Sequence, residues 1–350
     1  MDDPSVLTND VQEILDDPEI EIVIEVMGGI QPALSYMLEA LNAGKSVVTA
    51  NKDVVASEGK KLLEAAKANG RDFLYEASVA GGIPIVRPMK QCLAGNHITE
   101  VVGIFNGTTN FILTKMSKEG MEFEEALQLA QDLGYAESDP TSDIEGLDAG
   151  RKVAILASAA FNSRVVFENV YTEGIARITA KDIQYAKEMG CEIKLLGMAR
   201  LTAEGIEARV HPMLINKDHP LASVQDSYNA VFVRGDAVQD TMFYGRGAGE
   251  LPTASAVVGD VFDCVRNILA DCCGRIGCTC YKDLPIRKIS QIKSKYFVRM
   301  EVEDRPGVLA SVTAVFGNNS VSIAQFIQKE KKGELAEIVV ITEKVQERHF

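Results

Sequence analysis

The hydrophobic pattern of the first third switches between two periods. Residues 19–27, EIEIVIEVM, form a β-branched run, and residues 32–45, PALSYMLEALNAGK, carry apolar positions at helical spacing. The order then repeats, with a strand over 46–50, a helix over 56–70 and a strand over 72–78. Strands separated by helices of this length predict βαβ units and a parallel sheet. Ligands of such sheets lie beyond the carboxyl ends of the strands. Three turns occupy those ends: EVMGG (25–29), TANKD (49–53) and EASVAGG (76–82).

The middle of the chain reads differently. A helix over 83–95 and a strand over 98–107 precede helices over 108–120 and 123–134. Four runs, 191–202, 205–216, 229–238 and 240–249, are then joined by short polar turns, the pattern of an antiparallel sheet. A helix over 252–273 closes this part, with Pro252 acceptable in its first turn. Residues 284–295 are basic, lack a sustained period and read as a linker. The β-α-β-β pattern beyond them begins at residue 296.

Composition narrows the class. With 36 Lys and Arg against 50 Asp and Glu, the net charge of −14 disfavours nonspecific binding to nucleic acid or an anionic membrane. No apolar run reaches the ~18 residues of a membrane span, and the N-terminus has no signal-peptide pattern, so a cytoplasmic protein is expected. The seven cysteines do not resemble a disulfide framework in a chain of 350 residues. Cys272, Cys273, Cys278 and Cys280 cluster in a spacing unfamiliar for zinc. They read as a cysteine-rich loop after a helix, with a metal site the minor alternative.

The densest chemistry lies in residues 137–152, ESDPTSDIEGLDAGRK. Five acids, Glu137, Asp139, Asp143, Glu145 and Asp148, lead through Arg151 and Lys152 into the all-apolar VAILASAAF. Ser142 and Glu145 have the form of a capping box, predicting a helix start near Ser142. Asp148 and Lys152 are then i and i+4 on one face. A surface ion pair is the plain reading, worth a few tenths of a kcal/mol. The buried helix that follows argues instead for partly desolvated charge that binds something. Carboxylates beside a lysine suit a small zwitterion, with Glu137 and Asp148 for its ammonium. A second cation, Lys52 from TANKD, is expected to push the lysine pKa down and permit proton transfer near neutrality.

The segments EVMGG, TANKD, YEASVAGGIPIV, FNGTTNFIL, GYAESDPTSDIEGLDAGRK and YGRGAGELPTASAVVGD, in this order, resemble the homoserine dehydrogenases. The resemblance covers residues 7 to about 270. It implies interconversion of L-homoserine and L-aspartate 4-semialdehyde with NADP or NAD. It puts the general acid/base at Lys152, homoserine against Glu137 and Asp148 with Asp143 supporting, and Lys52 beside the nicotinamide. It places Gly28, Gly247 and Gly249 at the cofactor. It gives a sodium or potassium ion to carbonyls of Glu76, Val79, Gly81 and Ile83; the glycine turn alone reads as no more than a turn. The C-terminal unit resembles an ACT domain, for which threonine is the expected effector and a homodimer or larger homo-oligomer the expected assembly.

The expected fold is therefore α/β with three parts. Residues 1–82, with 245–272 returning to them, form an incomplete Rossmann-like dinucleotide-binding domain. Residues 83–244 form an α+β catalytic and dimerisation domain, 273–295 a linker, and 296–350 a partial ferredoxin-like ACT domain. No G-x-G-x-x-G precedes EVMGG, and the small domain stops where a further helix is due, so the chain reads as a fragment with weak cofactor affinity and impaired turnover. The alternative is a non-catalytic amino-acid-binding regulatory fragment.

Overall fold

The computed structural model describes residues 7–328 and 335–349. They fall into two compact units, Met1–Ile286 and Arg287–Phe350. In the first unit, α1 (Val11–Asp16), β1 (Ile22–Glu25), α2 (Ala33–Asn42), β2 (Ser46–Thr49), α3 (Lys52–Ala68) and β3 (Phe73–Leu74) alternate as the periods predict. The three strands pair in parallel in the order β1-β2-β3. The third strand is shorter than expected, because residues 76–78 turn into a 3₁₀ helix.

The short α4 (Val86–Lys90) leads to β4 (Ile98–Ile104), α5 (Gly107–Glu119), α6 (Phe123–Asp132), α7 (Thr141–Ile144) and α8 (Leu147–Phe161). β5 (Tyr171–Thr172), α9 (Ala180–Glu188), β6 (Cys191–Thr202), β7 (Gly205–Asn216), β8 (Tyr228–Gly235) and β9 (Gln239–Arg246) complete a six-stranded sheet. Its order is β5-β7-β6-β4-β8-β9, and all neighbours are antiparallel except β5 and β7. α8 lies against this sheet with Val153, Ala154, Leu156, Ala157 and Phe161 all buried in the main core. Its many alanines let backbone and sheet approach closely.

The helix start expected near Ser142 is present, since α7 begins at Thr141, but the capping box and a continuous path into the buried helix are not. Ser142 caps nothing; α7 is a single turn, and Gly146, at φ 77°, breaks the path before α8 begins at Leu147. A left-handed residue cannot continue a right-handed helix, and glycine adopts that conformation without steric cost. The break rotates α8 so that its first turn faces inward.

α10 (Glu250–Leu269) returns to the parallel sheet. Asp260 accepts a hydrogen bond from the Glu76 amide at 2.8 Å, and Asn267 donates to Asp72 at 2.9 Å. The buried Glu76 carboxylate accepts from the amides of Ile85, Val86 and Arg87. Arg87 in turn bridges Asp260 at 3.2 Å and Asp263 at 3.1 Å. Residues 273–286 of the expected 273–295 linker belong to the first unit: Gly274 donates to Asp72, Lys282 to the Asn162 carbonyl and Ile206 to the Pro285 carbonyl.

The second unit holds β10 (Lys293–Ser294), β11 (Phe297–Glu303), α11 (Val308–Asn318), β12 (Ile323–Gln328), β13 (Leu335–Thr342) and β14 (Val345–Gln346). Its main sheet has the antiparallel order β11-β13-β12, and β10 pairs with β14. Residues 329–331 of the expected second strand lie outside the described residues. Among the described residues no helix is long and apolar enough to cross a membrane.

Burial pushes Asp260 up to about 7, against the opposing Glu76 amide and Arg87. Its folded value lies above the ordinary 3.8, so its contribution to stability is full below 3.8 and is lost as pH rises through about 7. Asp260→Asn is therefore expected to flatten the pH dependence of the urea midpoint across that window. An unchanged slope would count against this assignment.

Candidate active site

The site begins with two helix N-termini. Asn51 caps α3: its Oδ1 accepts from the amides of Asp53 and Val54, both at 3.1 Å. Its Nδ2 donates to the Gly29 carbonyl at 2.8 Å, which ties the cap to the glycine turn after β1. The buried Glu25 carboxylate completes this link, accepting from Met27 N and Thr49 Oγ1. Lys52 and Asp53 thus occupy the first turn of α3, aimed at the start of α8.

Asp148 meets them there. Its Oδ1 lies 3.0 Å from Lys52 Nζ, and its Oδ2 accepts from Lys152 Nζ at 2.7 Å and Asn106 Nδ2 at 2.9 Å. Lys152 also donates to the Phe105 carbonyl at 2.7 Å. A second ion pair, Arg151 Nε to Asp53 Oδ1 at 2.6 Å, crosses between the same two helices. The side chain of Asp148 is only 6% exposed, that of Lys152 11%, and that of Lys52 37%. The predicted i,i+4 pair therefore exists, and it is buried.

Burial alone would raise the Asp148 pKa, but Lys152, Lys52 and the Asn106 amide outweigh it and hold the carboxyl well below its ordinary value. Asp143 is shifted the other way, up, by burial and by repulsion from Asp148, against hydrogen bonds from Asn106 and Thr108. Lys52, the expected second cation, is itself shifted. Burial lowers it, yet attraction to Asp148, Asp53 and Asp143 prevails and its pKa is raised. The two lysines do converge, but the carboxylate stands between them.

Asn106 was missed as a site residue, although its motif was noted. It caps α5, its Oδ1 accepting from Thr109 N at 2.9 Å. That fixes the amide so that Nδ2 faces both Asp143, at 2.7 Å, and Asp148. An Asn three residues before Thr109, at the edge of a helical pattern, was the available signal. Arg151 and Asn51 were likewise undervalued; Asn51 directly precedes the lysine and is a favoured capping residue.

The remaining predicted residues divide. Glu137 is exposed, and among the described residues its carboxylate has no ion pair with the lysines. Gly28 sits in open space, where an added Cβ would meet nothing within 4 Å. Gly247 is packed on Asn229, and its carbonyl lies 2.4 Å from where a Cβ on Gly81 would stand. Gly81 has φ 53° and Ala80 φ 59°, so the 79–83 turn reverses sharply beneath that loop. Gly249 directly precedes α10. Among the described residues no group of three or more His, Cys, Asp or Glu side chains is arranged to hold a metal.

Open space at the glycine turn after β1, beside a partly exposed Lys52, fits the nicotinamide end of a dinucleotide. Parallel strands ending beside a lysine–aspartate–lysine cluster are compatible with a nicotinamide-dependent oxidoreductase, the class that the resemblance implies. Comparison with known proteins gives the particular family. The homoserine dehydrogenase family model matches residues 84–262, the homoserine dehydrogenase NAD-binding model residues 2–76 and the ACT model residues 296–350. The homoserine dehydrogenase of Bacillus subtilis is 46% identical over 99% of this chain and 80% of its own length. That of Synechocystis is 47% identical over 99% and 82%. The crystal structure of a homoserine dehydrogenase from Thiobacillus denitrificans superposes with a TM-score of 0.93 at 44% identity, over 98% of this chain and 79% of that one. A hyperthermophilic archaeal homoserine dehydrogenase mutant solved with NADPH superposes at 0.65, with 29% identity, over 74% of this chain and 75% of that one. The chain belongs to the homoserine dehydrogenase family, oxidoreductases of amino-acid biosynthesis.

Removing the charge of Asp148 leaves two cations facing each other in a largely buried site. Asp148→Asn is expected to cost about 3 kcal/mol, the usual scale for breaking a buried pair. Guanidinium unfolding measures it, and a loss within error of zero would mean that the cluster is better solvated than its burial implies.

Proposed function

We propose that Lys152 is the general acid/base of homoserine–aspartate 4-semialdehyde interconversion and that Asp148 holds it in position. The observation that carries this reading is the commitment of Lys152 Nζ to two acceptors, Phe105 O and Asp148 Oδ2, both at 2.7 Å. An ammonium has three donors, so one N–H direction is left for a substrate oxygen. In the reducing direction Lys152 gives that proton to the aldehyde oxygen as it becomes the hydroxyl; in the oxidising direction the hydroxyl proton returns to Nζ. A bound NADP or NAD supplies hydride transfer. Lys52 contacts the cofactor and polarises the same oxygen, while Gly28, Gly247 and Gly249 provide the close backbone approach.

Asp148 already accepts from three donors, which leaves little of it for the substrate ammonium. Glu137 and Asp143 take that ammonium, and Asp148 orients both lysines. Carbonyls of Glu76, Val79, Gly81 and Ile83 hold a sodium or potassium ion; the paired left-handed residues Ala80 and Gly81 support this, since they turn the backbone tightly enough for several carbonyls to converge. In the second unit, Glu303, Arg305, Gly307 and Ser311 line a cleft at the start of α11, where an amino acid such as threonine would bind as effector. A cytoplasmic homodimer is the assembly we expect.

Homoserine-dependent reduction of NAD⁺ and NADP⁺ tests the assignment. Lys152→Ala is expected to lower kcat by about 10²–10⁴-fold with a smaller effect on KM, the range for loss of a general acid/base. A variant within threefold of the parent would overturn the role of Lys152. Replacing sodium and potassium by tetramethylammonium is expected to lower activity if the carbonyl site is occupied, and equal rates would remove it from the scheme.

A further inference from the structure

Residues 277–282 pass over the outer surface of α8, and two cations converge on them. Arg164 Nη2 donates to Cys278 Sγ at 3.7 Å, its one hydrogen bond among the described residues, and its Nε is buried without a partner. Lys90 Nζ donates to the Gly277 carbonyl at 3.4 Å and lies 5.1 Å from the centre of the Tyr75 ring. Neither cation has a carboxylate partner among the described residues. Half-buried cations without a carboxylate call for another anion, and Arg164 is bonded to a thiol that Lys90 also influences through its charge.

The backbone points to the same sulfur. Cys280 N donates to Cys278 Sγ at 3.4 Å, so the side chain of Cys278 folds back over the next residue but one. Cys280 Sγ sits 3.7 Å from the Ser158 carbonyl of α8. Cys278 is exposed and Cys280 half-buried, and neither is in a disulfide. We propose that Cys278 is a reactive thiolate and that Cys278 and Cys280 form a reversible dithiol–disulfide site, oxidised by low-molecular-weight disulfides.

The chemistry balances as follows. The Cys278 thiolate attacks one sulfur of RSSR, the RS–SR bond breaks, and the departing RS⁻ takes a proton from water. Cys280 then attacks the Cys278 sulfur of the mixed disulfide, and its thiol proton leaves with the second RS⁻. Two cysteines lose two electrons between them, and RSSR is reduced to two RSH. The electrostatics agree: a hydrogen bond from the Cys280 thiol, its backbone amide, Arg164 and Lys90 together draw Cys278 down to about 5, against burial. Cys280 is pushed up, first by its hydrogen bond to Cys278, and so keeps its proton until it is needed. A bridge spanning one residue is tight, and strained or exposed disulfides are the labile, readily reduced ones.

The full reduced chain tests this without any variant. At about pH 6, iodoacetamide is expected to modify Cys278 at least ~10-fold faster than Cys92, an exposed cysteine elsewhere on the first unit, as peptide mapping would read. Glutathione disulfide should yield a chain that has lost two hydrogens, with the bridge mapped to Cys278–Cys280 and reversed by dithiothreitol. Cys280→Ser should instead retain one glutathione on Cys278, and Arg164→Gln should slow alkylation at the same pH. Equal labelling of Cys92 and Cys278 would overturn the reactive thiolate. A parent chain that keeps the glutathione adduct, with no internal bridge, would overturn the dithiol site.

Discussion

A single buried carboxylate organises the candidate active site of this molecule. Asp148 receives Lys52 from one helix, Lys152 from its own and Asn106 from the cap of a third. Taking that many ionic groups out of water is costly unless each is paired, and here the geometry pairs them all. The position of α8 follows from this demand as well as from its apolar surface. Its first turn must bring Asp148 to Lys52, and the left-handed Gly146 supplies the change of direction that a continuous helix could not. The Arg151–Asp53 pair repeats the crossing between α3 and α8, so two independent ion pairs fix the lysines relative to one another.

The glycine-turn side of the candidate site is fixed through a different set of bonds. Asn51 joins the cap of α3 to the turn after β1, so the glycine turn and Lys52 share one rigid support. Gly81 and Gly247 bring the turn after β3 against the loop that leads into α10. Of the candidate site residues, Lys52 and Asp148 stand on helix starts and Lys152 one turn further along α8, not on free loops. This is where preorganisation is cheapest to maintain, because backbone hydrogen bonds already hold each element.

Much of this architecture was legible in the sequence. The four long strands of the second sheet were marked by apolar runs between short polar turns, and the βα alternation of the first third by its changes of period. The Asp148–Lys152 relation followed from spacing alone. What could not be read was whatever depended on three dimensions at once. Ser142 and Glu145 stand in the order of a capping box, yet α7 starts after Pro140 and the left-handed Gly146 separates its single turn from α8. That Asp148 lies between the two lysines, and so raises Lys52, could not be seen in the sequence. Residues 273–286 look like a linker, since their bonds run to partners as distant as Asp72 and Ile206. The clearest chemical signal came from the whole run of motifs, which resembles one family from end to end.

The bonds of α10 have a consequence for how the chain is made. Glu76 waits for Asp260 across 184 residues, and Asp72 waits for Asn267 across 195. During synthesis β1, β2 and β3 leave the ribosome long before the helix that covers them, and at about 5–20 residues per second the delay is on the order of ten seconds or more. Through that interval the parallel sheet is exposed on the side that α10 will occupy. The order of the chain thus leaves the first-made strands uncovered on that side until translation passes residue 267.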